Sequence, residues 1–327
     1  MSHRKDTDYL AISARIRALE NRMLTGEKLE RLIEAGDTGQ ARKLLAQSGY
    51  SDSGTLEEVL TQARGELFRE LSAAVPDPGL IQVFQVKYDC HNAKTILKAQ
   101  AMGVEPNRLL LSGGRYEPAQ LLDCWQRESL GSLSPIFRTA MERAWKSLQE
   151  ERDPQRADLI LDRACYEEMG ALAGELSSPF LQGYVRLAVD AANLRAAVRA
   201  HRMERGGDFL RRVLLPGGNV SSEAIAAARG EGLADVFQGG ALAQAAELGA
   251  GLTRPGSGAL TAFERECDNA LTGYLSAARR ISFGEETVIG YLYAKEQEFT
   301  AIRAVFAGRA AGLDGETIRS RLRETYV

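Results

Sequence analysis

One helix is written three times in this chain. The stretch DCHNAKTILKA at 89–99 returns as DAANLRAAVRA at 190–200 and as EFTAIRAVFAG at 298–308. Each copy opens on an acid: Asp89, Asp190 or Glu298. Three residues on stands Asn92, Asn193 or, in the third copy, Ala301; two further stands Lys94, Arg195 or Arg303. The acids lie 101 and 108 residues apart. Common solenoids repeat every 20 to 50 residues or so, too short for this period. A unit of that length is a small bundle in itself. The repeat therefore predicts an all-α chain built from three similar helical bundles.

The copies extend beyond the shared helix. In the second, Leu187, Ala191, Leu194 and Val198 form one apolar stripe of helical period, and Arg195, Arg199 and Arg202 a basic one. The first copy sets apolar Ala93, Ile96 and Leu97 beside basic Lys94 and Lys98. Gly-Gly loops follow: SGGRYEPAQLLD at 112–123 and PGGNVSSEAIAA at 216–227; the third copy has the shorter AGLDGETIRSRL at 311–322. An antecedent helix precedes. Asp162 stands 28 residues before Asp190, and Asp268 stands 30 before Glu298. At the other end, SARIRALENRML reads as a partial fourth copy with Arg17 at the basic position, and TGEKLERLIEAG follows like a loop and helix. A chain with half-units at both ends can close by packing its last helices beside its first. The expected divisions are 1–88 (N-terminal helices and first bundle), 89–189 (second bundle) and 190–327 (third bundle and closing helices). LIQVFQVKYD at 80–89 alternates like a strand, but its partners at 181–190 and 289–298 are longer amphipathic runs, so helix is expected there.

Composition narrows the function classes. Apolar residues are 44% and charged residues 26%, enough for a real core, and only 7% are aromatic. A net charge of −3 and pI near 5.9 speak against a duplex nucleic-acid binder. The opening MSHRKDTDYLAISARIRALE has no apolar core, so no signal peptide is expected, and no run approaches a membrane span. Cys90, Cys124, Cys165 and Cys267 share no CxxC spacing and read as buried, reduced, small hydrophobes. His3, His91 and His201 form no metal-ligand motif, so no metal site is expected.

Catalytic patterns are lacking as well. None of the Gly-Gly pairs sits in a phosphate-binding loop; PGGNVSSEAI reads as a turn with Ser221 or Ser222 capping a helix. Glu167–Glu168 and Glu285–Glu286 read as solvated faces. No catalytic residue and no cofactor is expected. Two roles remain for the repeated Lys94, Arg195 and Arg303. They brace neighbouring helices through charge pairing, or they face a common axis as donors to one inserted partner.

The motifs ARIRALENRML, VKYDCHNAKTILKA, VDAANLRAAVRA and YLYAKEQEFTAIRAVFAGRAAG carry a family resemblance. The chain resembles the C subunit of bacterial and archaeal V/A-type rotary ATPases, whose eukaryotic counterpart is the d subunit of the vacuolar enzyme, over essentially its whole length. The resemblance implies three bundles in pseudo-three-fold arrangement forming a funnel. It implies a non-catalytic part that sits on the cytoplasmic face of the membrane proteolipid rotor ring, receives the central stalk and transmits torque. The partners implied are the stalk proteins and the ring, with no nucleic acid and no membrane insertion. Lys94, Arg195 and Arg303 would be the stalk contacts, with Asp89, Asn92, Asp190, Asn193 and Glu298 structural. Ala301 departs from the pattern and weakens any requirement for Asn. The alternatives are a free-standing helical scaffold that binds a helix or peptide, and an enzyme with an unrecognised site.

Overall fold

The computed structural model describes residues 5–326; His3 and the first residues of the N-terminal segment lie outside them. Among the described residues there is no strand. The helices, in order, are α1 (Leu10–Glu20), α2 (Gly26–Glu34), α3 (Thr38–Ala46), α4 (Leu56–Ala74), α5 (Gly79–Met102) and α6 (Pro118–Gln126). Then come α7 (Pro135–Lys146), α8 (Pro154–Glu175), α9 (Pro179–Arg202), α10 (Gly207–Val213) and α11 (Ser222–Ala227). The last are α12 (Gly232–Val236), α13 (Ala243–Gly251), α14 (Thr261–Ser276), α15 (Glu285–Ala310) and α16 (Gly315–Arg321). No described helix is long and apolar enough to cross a membrane.

Local chemistry sets many of the starts. Thr25, Asp37, Ser134, Asp153, Ser221 and Asp314 each accept a backbone N–H of the first helical turn. Of the two serines expected to cap α11, Ser221 does so, accepting from Ala224 N at 3.3 Å. Pro135 and Pro154 follow their caps directly, where a missing N–H costs nothing. The strand-like segment 80–89 is part of α5. Leu80, Ile81, Val83, Phe84 and Val86 are all buried, so the run is apolar because the helix is enclosed on several sides.

The chain forms two compact units: residues 61–182, and residues 1–60 together with 183–327. In the first, α5 packs against α8, α7 lies on α8, and α6 lies on α5. Phe137, Met141, Ile96 and Leu97 are fully enclosed there, and Tyr116 stacks on Phe137 at 5.8 Å. In the second, α15 is the central helix, contacted by α1, α2, α14 and α16. Its Leu292, Phe299, Ile302 and Val305 are buried. The N-terminal helices do pack beside the last ones. Arg309 Nη1 donates to Ile33 O at 2.6 Å, and Arg319 pairs with Glu30 at 2.7 Å and Glu34 at 3.0 Å. Arg17, expected at the basic position of a fourth copy, instead donates to Ala278 O and Ile281 O at 2.9 and 2.6 Å.

The three long helices end alike. Val104 N reaches Ala99 O, Arg205 N reaches Ala200 O, and Leu313 N reaches Gly308 O, at 2.9, 2.9 and 3.0 Å. This closure needs a left-handed residue just before the donor. Gly103 (φ +67°) and Gly312 (φ +68°) supply it in two copies, but the second places Glu204 there at φ +54°. A β-carbon in that region costs roughly 1–2 kcal/mol. Glu204 is exposed. Glu204→Gly is therefore expected to stabilise the protein by about 1 kcal/mol in urea unfolding, and Gly103→Ala to destabilise it by a similar amount.

Candidate functional site

The repeated residues do one local job twice and a variant of it once. Asn92 donates to Leu111 O at 2.8 Å and accepts from Leu111 N at 2.8 Å. Asn193 repeats this on Leu215, at 2.8 and 2.7 Å. Asp89 accepts from Tyr116 N at 3.3 Å and Arg115 Nε at 2.7 Å. Asp190 accepts from Val220 N and Asn219 N, both at 3.0 Å, and from Asn219 Nδ2 at 2.8 Å. Each long helix thus ties down the Gly-Gly loop that follows it.

The glycines are there for that approach. Gly113 and Gly217 turn the chain at φ +107° and +90°. A β-carbon on Gly114 would overlap Asp89 Oδ1, and one on Gly218 would overlap Asp190 Oδ1. In the sequence these loops read as ordinary turns, and nothing in them shows the carboxylate lying against each second glycine.

In the third copy the loop comes from the other end of the chain. Glu298 Oε2 accepts from Leu24 N at 2.6 Å, and Oε1 accepts from Tyr50 OH and Lys295 Nζ. Glutamate's extra methylene gives the carboxylate more reach than the aspartates have. Burial, and then the Glu298 charge, push the Tyr50 hydroxyl well above its ordinary range. Ala301, standing where Asn is expected, makes no loop tie. It lines a cavity of about 190 Å³ with Met23, Leu29, Ala304, Leu322 and Tyr326.

The three bases are all held within the chain. Lys94 Nζ meets Asp162 at 2.5 Å. Arg195 meets Asp268 at 2.5 Å and Glu264 at 2.8 Å. Arg303 meets Glu57 at 2.7 Å. Each base of one copy pairs with the antecedent acid of the next, and the third returns to the first. Sequence reasoning misses Glu57. It precedes Asp89 by 32 residues, close to the 28 and 30 of Asp162 and Asp268, and that spacing is the available signal. The basic stripe continues the pattern: Arg199 pairs with Glu264 at 2.6 Å and Lys98 with Asp158 at 2.7 Å.

One expectation is corrected. Glu168, read as part of a solvated acidic face, is buried. Arg115 Nη1 meets it at 2.6 Å, Ser134 Oγ donates to it at 2.7 Å, and Arg115 also holds Asp89. The reason is the fold: α5, α8 and the Gly-Gly loop bring two carboxylates to one guanidinium. Burial pushes Asp89 up to about 6, with Arg115 and the loop amides opposing it only in part. Burial also pulls at the Arg115 charge, but Asp89 and Glu168 outweigh it and raise that group above its ordinary value.

The chain is similar to known proteins over most of its length. Residues 12–321 match the family model described as ATP synthase (C/AC39) subunit. The chain is 22% identical over 326 residues to the C subunit of a V-type sodium ATPase from Enterococcus hirae, covering 98% of this chain and 99% of that one. It is 24% identical to the C subunit of an A-type ATP synthase from Halorubrum lacusprofundi, over 95% of this chain and 96% of the relative. The C subunit of a V-type ATP synthase from Thermus thermophilus matches at 22% over 59% of this chain and 63% of its own length.

Two outcomes test the anchors. Gly218→Ala is expected to cost roughly 1–3 kcal/mol through overpacking, and distinctly less in an Asp190→Ala background; equal costs in both would remove the close approach as the cause. The second concerns pH. Asp89 has a folded pKa above its unfolded 3.8, so it binds more protons folded than unfolded between about pH 4 and 6. Its stabilising contribution is full below pH 3.8 and is lost as pH rises through about 6. Asp89→Asn abolishes that titration. Urea unfolding across pH 4 to 7 is expected to show the stability difference moving in favour of the Asn variant by up to about 3 kcal/mol.

Proposed function

The chain belongs to the ATP synthase (C/AC39) subunit family, and we propose that it is the non-catalytic connector on the central axis of a V/A-type rotary ATPase. On this reading it links the central stalk to the membrane proteolipid ring and passes torque between them. It sits on the cytoplasmic side, peripheral to the membrane through the ring. Its three repeats are three bundles about a pseudo-three-fold axis, forming a funnel whose divisions fall near residues 89 and 190.

The observation that carries this reading is the cyclic pairing of Lys94 with Asp162, Arg195 with Asp268, and Arg303 with Glu57. A part that transmits rotation must resist shear between its copies. Packed helices supply stiffness. Charge pairs supply register: Lys94–Asp162 and Arg195–Asp268 within the second and third divisions, and Arg303–Glu57 between the third and the first. Each of the three long helices is held by one such pair, the third through the N-terminal acid Glu57. We therefore assign Lys94, Arg195 and Arg303 to bracing first. Contact with the stalk, the other role open to them, is the competing outcome of the test.

The test uses the full chain with the stalk proteins and the ring of its own motor. Wild type is expected to bind both, and failure to bind either one overturns the connector reading. The variant Lys94→Ala, Arg195→Ala, Arg303→Ala is expected to lose roughly 1–3 kcal/mol of stability, since partly exposed pairs contribute up to about 1 kcal/mol each. Its affinity for the stalk, per folded molecule, is expected to be unchanged. A tenfold fall in affinity with an unmoved melting temperature would transfer the three residues from bracing to stalk contact.

A further inference from the structure

Two of the four cysteines meet. The ion pairs fix the register of α5 against α8: Lys94 faces Asp162 and Lys98 faces Asp158, so the helices run antiparallel. One turn back along α5 and one turn forward along α8 bring residue 90 opposite 165 and 166. Arg115, joining Asp89 to Glu168, confirms that register from the loop side. That register sets Cys90 against Cys165 between α5 and α8. Both are free and buried, at 3% and 9% exposure. Small neighbours allow the helices to come close: Ala93 and Ala164 are also buried.

The same slot exists in the other two copies without thiols. The equivalent positions are Ala191 and Leu271 in the second copy and Phe299 and Leu60 in the third, all buried. The position is therefore a core slot, and only between α5 and α8 is it filled by two sulfurs. Cys267 is buried too, but no second cysteine lies at its register. Cys124 is half-buried on α6.

We propose that Cys90 and Cys165 form an oxidisable thiol pair whose disulfide staples α5 to α8, locking the first copy's long helix to the antecedent helix of the second. This stands apart from the connector reading. The oxidant is a peroxide. One cysteine thiolate attacks the O–O bond, which breaks to leave a sulfenic acid and, after protonation, water. The second sulfur then attacks the sulfenic sulfur, the S–S bond forms, and a second water leaves. Two thiols are oxidised by two electrons and one peroxide is reduced. The Cys90 thiol is held well above its ordinary pKa, chiefly by the Cys165 thiol beside it and then by burial, so thiolate is scarce. The reaction is accordingly slow, and faster as pH rises.

The experiment treats the folded full-length chain with hydrogen peroxide at about pH 8.5, near the ordinary thiol pKa. The product is unfolded, alkylated and digested without reductant for mass spectrometry. The expected result is one intramolecular Cys90–Cys165 crosslink, two hydrogens lighter and reversed by dithiothreitol, with Cys267 still a thiol. The oxidised protein is expected to melt several degrees higher. In Cys90→Ser and in Cys165→Ala the crosslink and that rise are expected to vanish together; either variant alone suffices if the other does not fold. Recovery of Cys90 and Cys165 as separate thiols after Cys124 has fully reacted would overturn the proposal. So would their oxidation to separate sulfinic acids, or pairing with Cys124 or Cys267.

Discussion

A carboxylate inside a packed helix is unfavourable unless donors come to meet it. Asp89, Asp190 and Glu298 are each in that position, all nearly inaccessible. Backbone amides are the donors that serve all three: Tyr116, Asn219 with Val220, and Leu24. This one requirement organises much around it. The loop must pass close, so its second glycine can carry no side chain. Where Asn is present, it fixes the loop's backbone a few residues earlier. Where the loop is not the next segment in sequence, the N-terminus supplies it.

Stability and register come from different sources. The enclosed side chains, such as Phe137, Phe263 and Phe299, contribute roughly 1.5–3 kcal/mol each. Partly exposed ion pairs contribute up to about 1 kcal/mol. The core therefore holds the fold, while the pairs choose which turn of one helix faces which turn of the next. Apolar stripes alone would allow a slip by one turn at modest cost; Lys94 with Asp162 and Lys98 with Asp158 penalise it together.

The helical class is legible in the sequence because apolar spacing at period 3.6 recurs throughout. The anchoring acids and asparagines are legible because they repeat. What cannot be read is what a residue meets across the fold. Glu168 looks like its neighbour Glu167 in sequence, yet one is buried on Arg115 and the pairing spans 53 residues. Asp162 and Asp268 are visible as antecedent acids, but their partners belong to the preceding copy. Glu57 is hidden because the N-terminal half-copy aligns on Arg17, whose side chain instead satisfies backbone carbonyls. Ala301 breaks the pattern in the sequence, and in the fold it opens onto a cavity.

The third anchor has a consequence for how the chain comes into being. Asp89 and Asp190 find their amides within 30 residues along the chain, but Glu298 and Leu24 are 274 apart. During synthesis the first two anchors have their partners soon after they emerge. Leu24 has none until α15 has left the ribosome, a wait of roughly ten seconds to a minute at ordinary elongation rates. Closing that longer loop costs about 2 kcal/mol more in chain entropy than closing either short one. α1 and α2 are thus made long before they can be seated on α15, and the faces they turn to it stay uncovered in between.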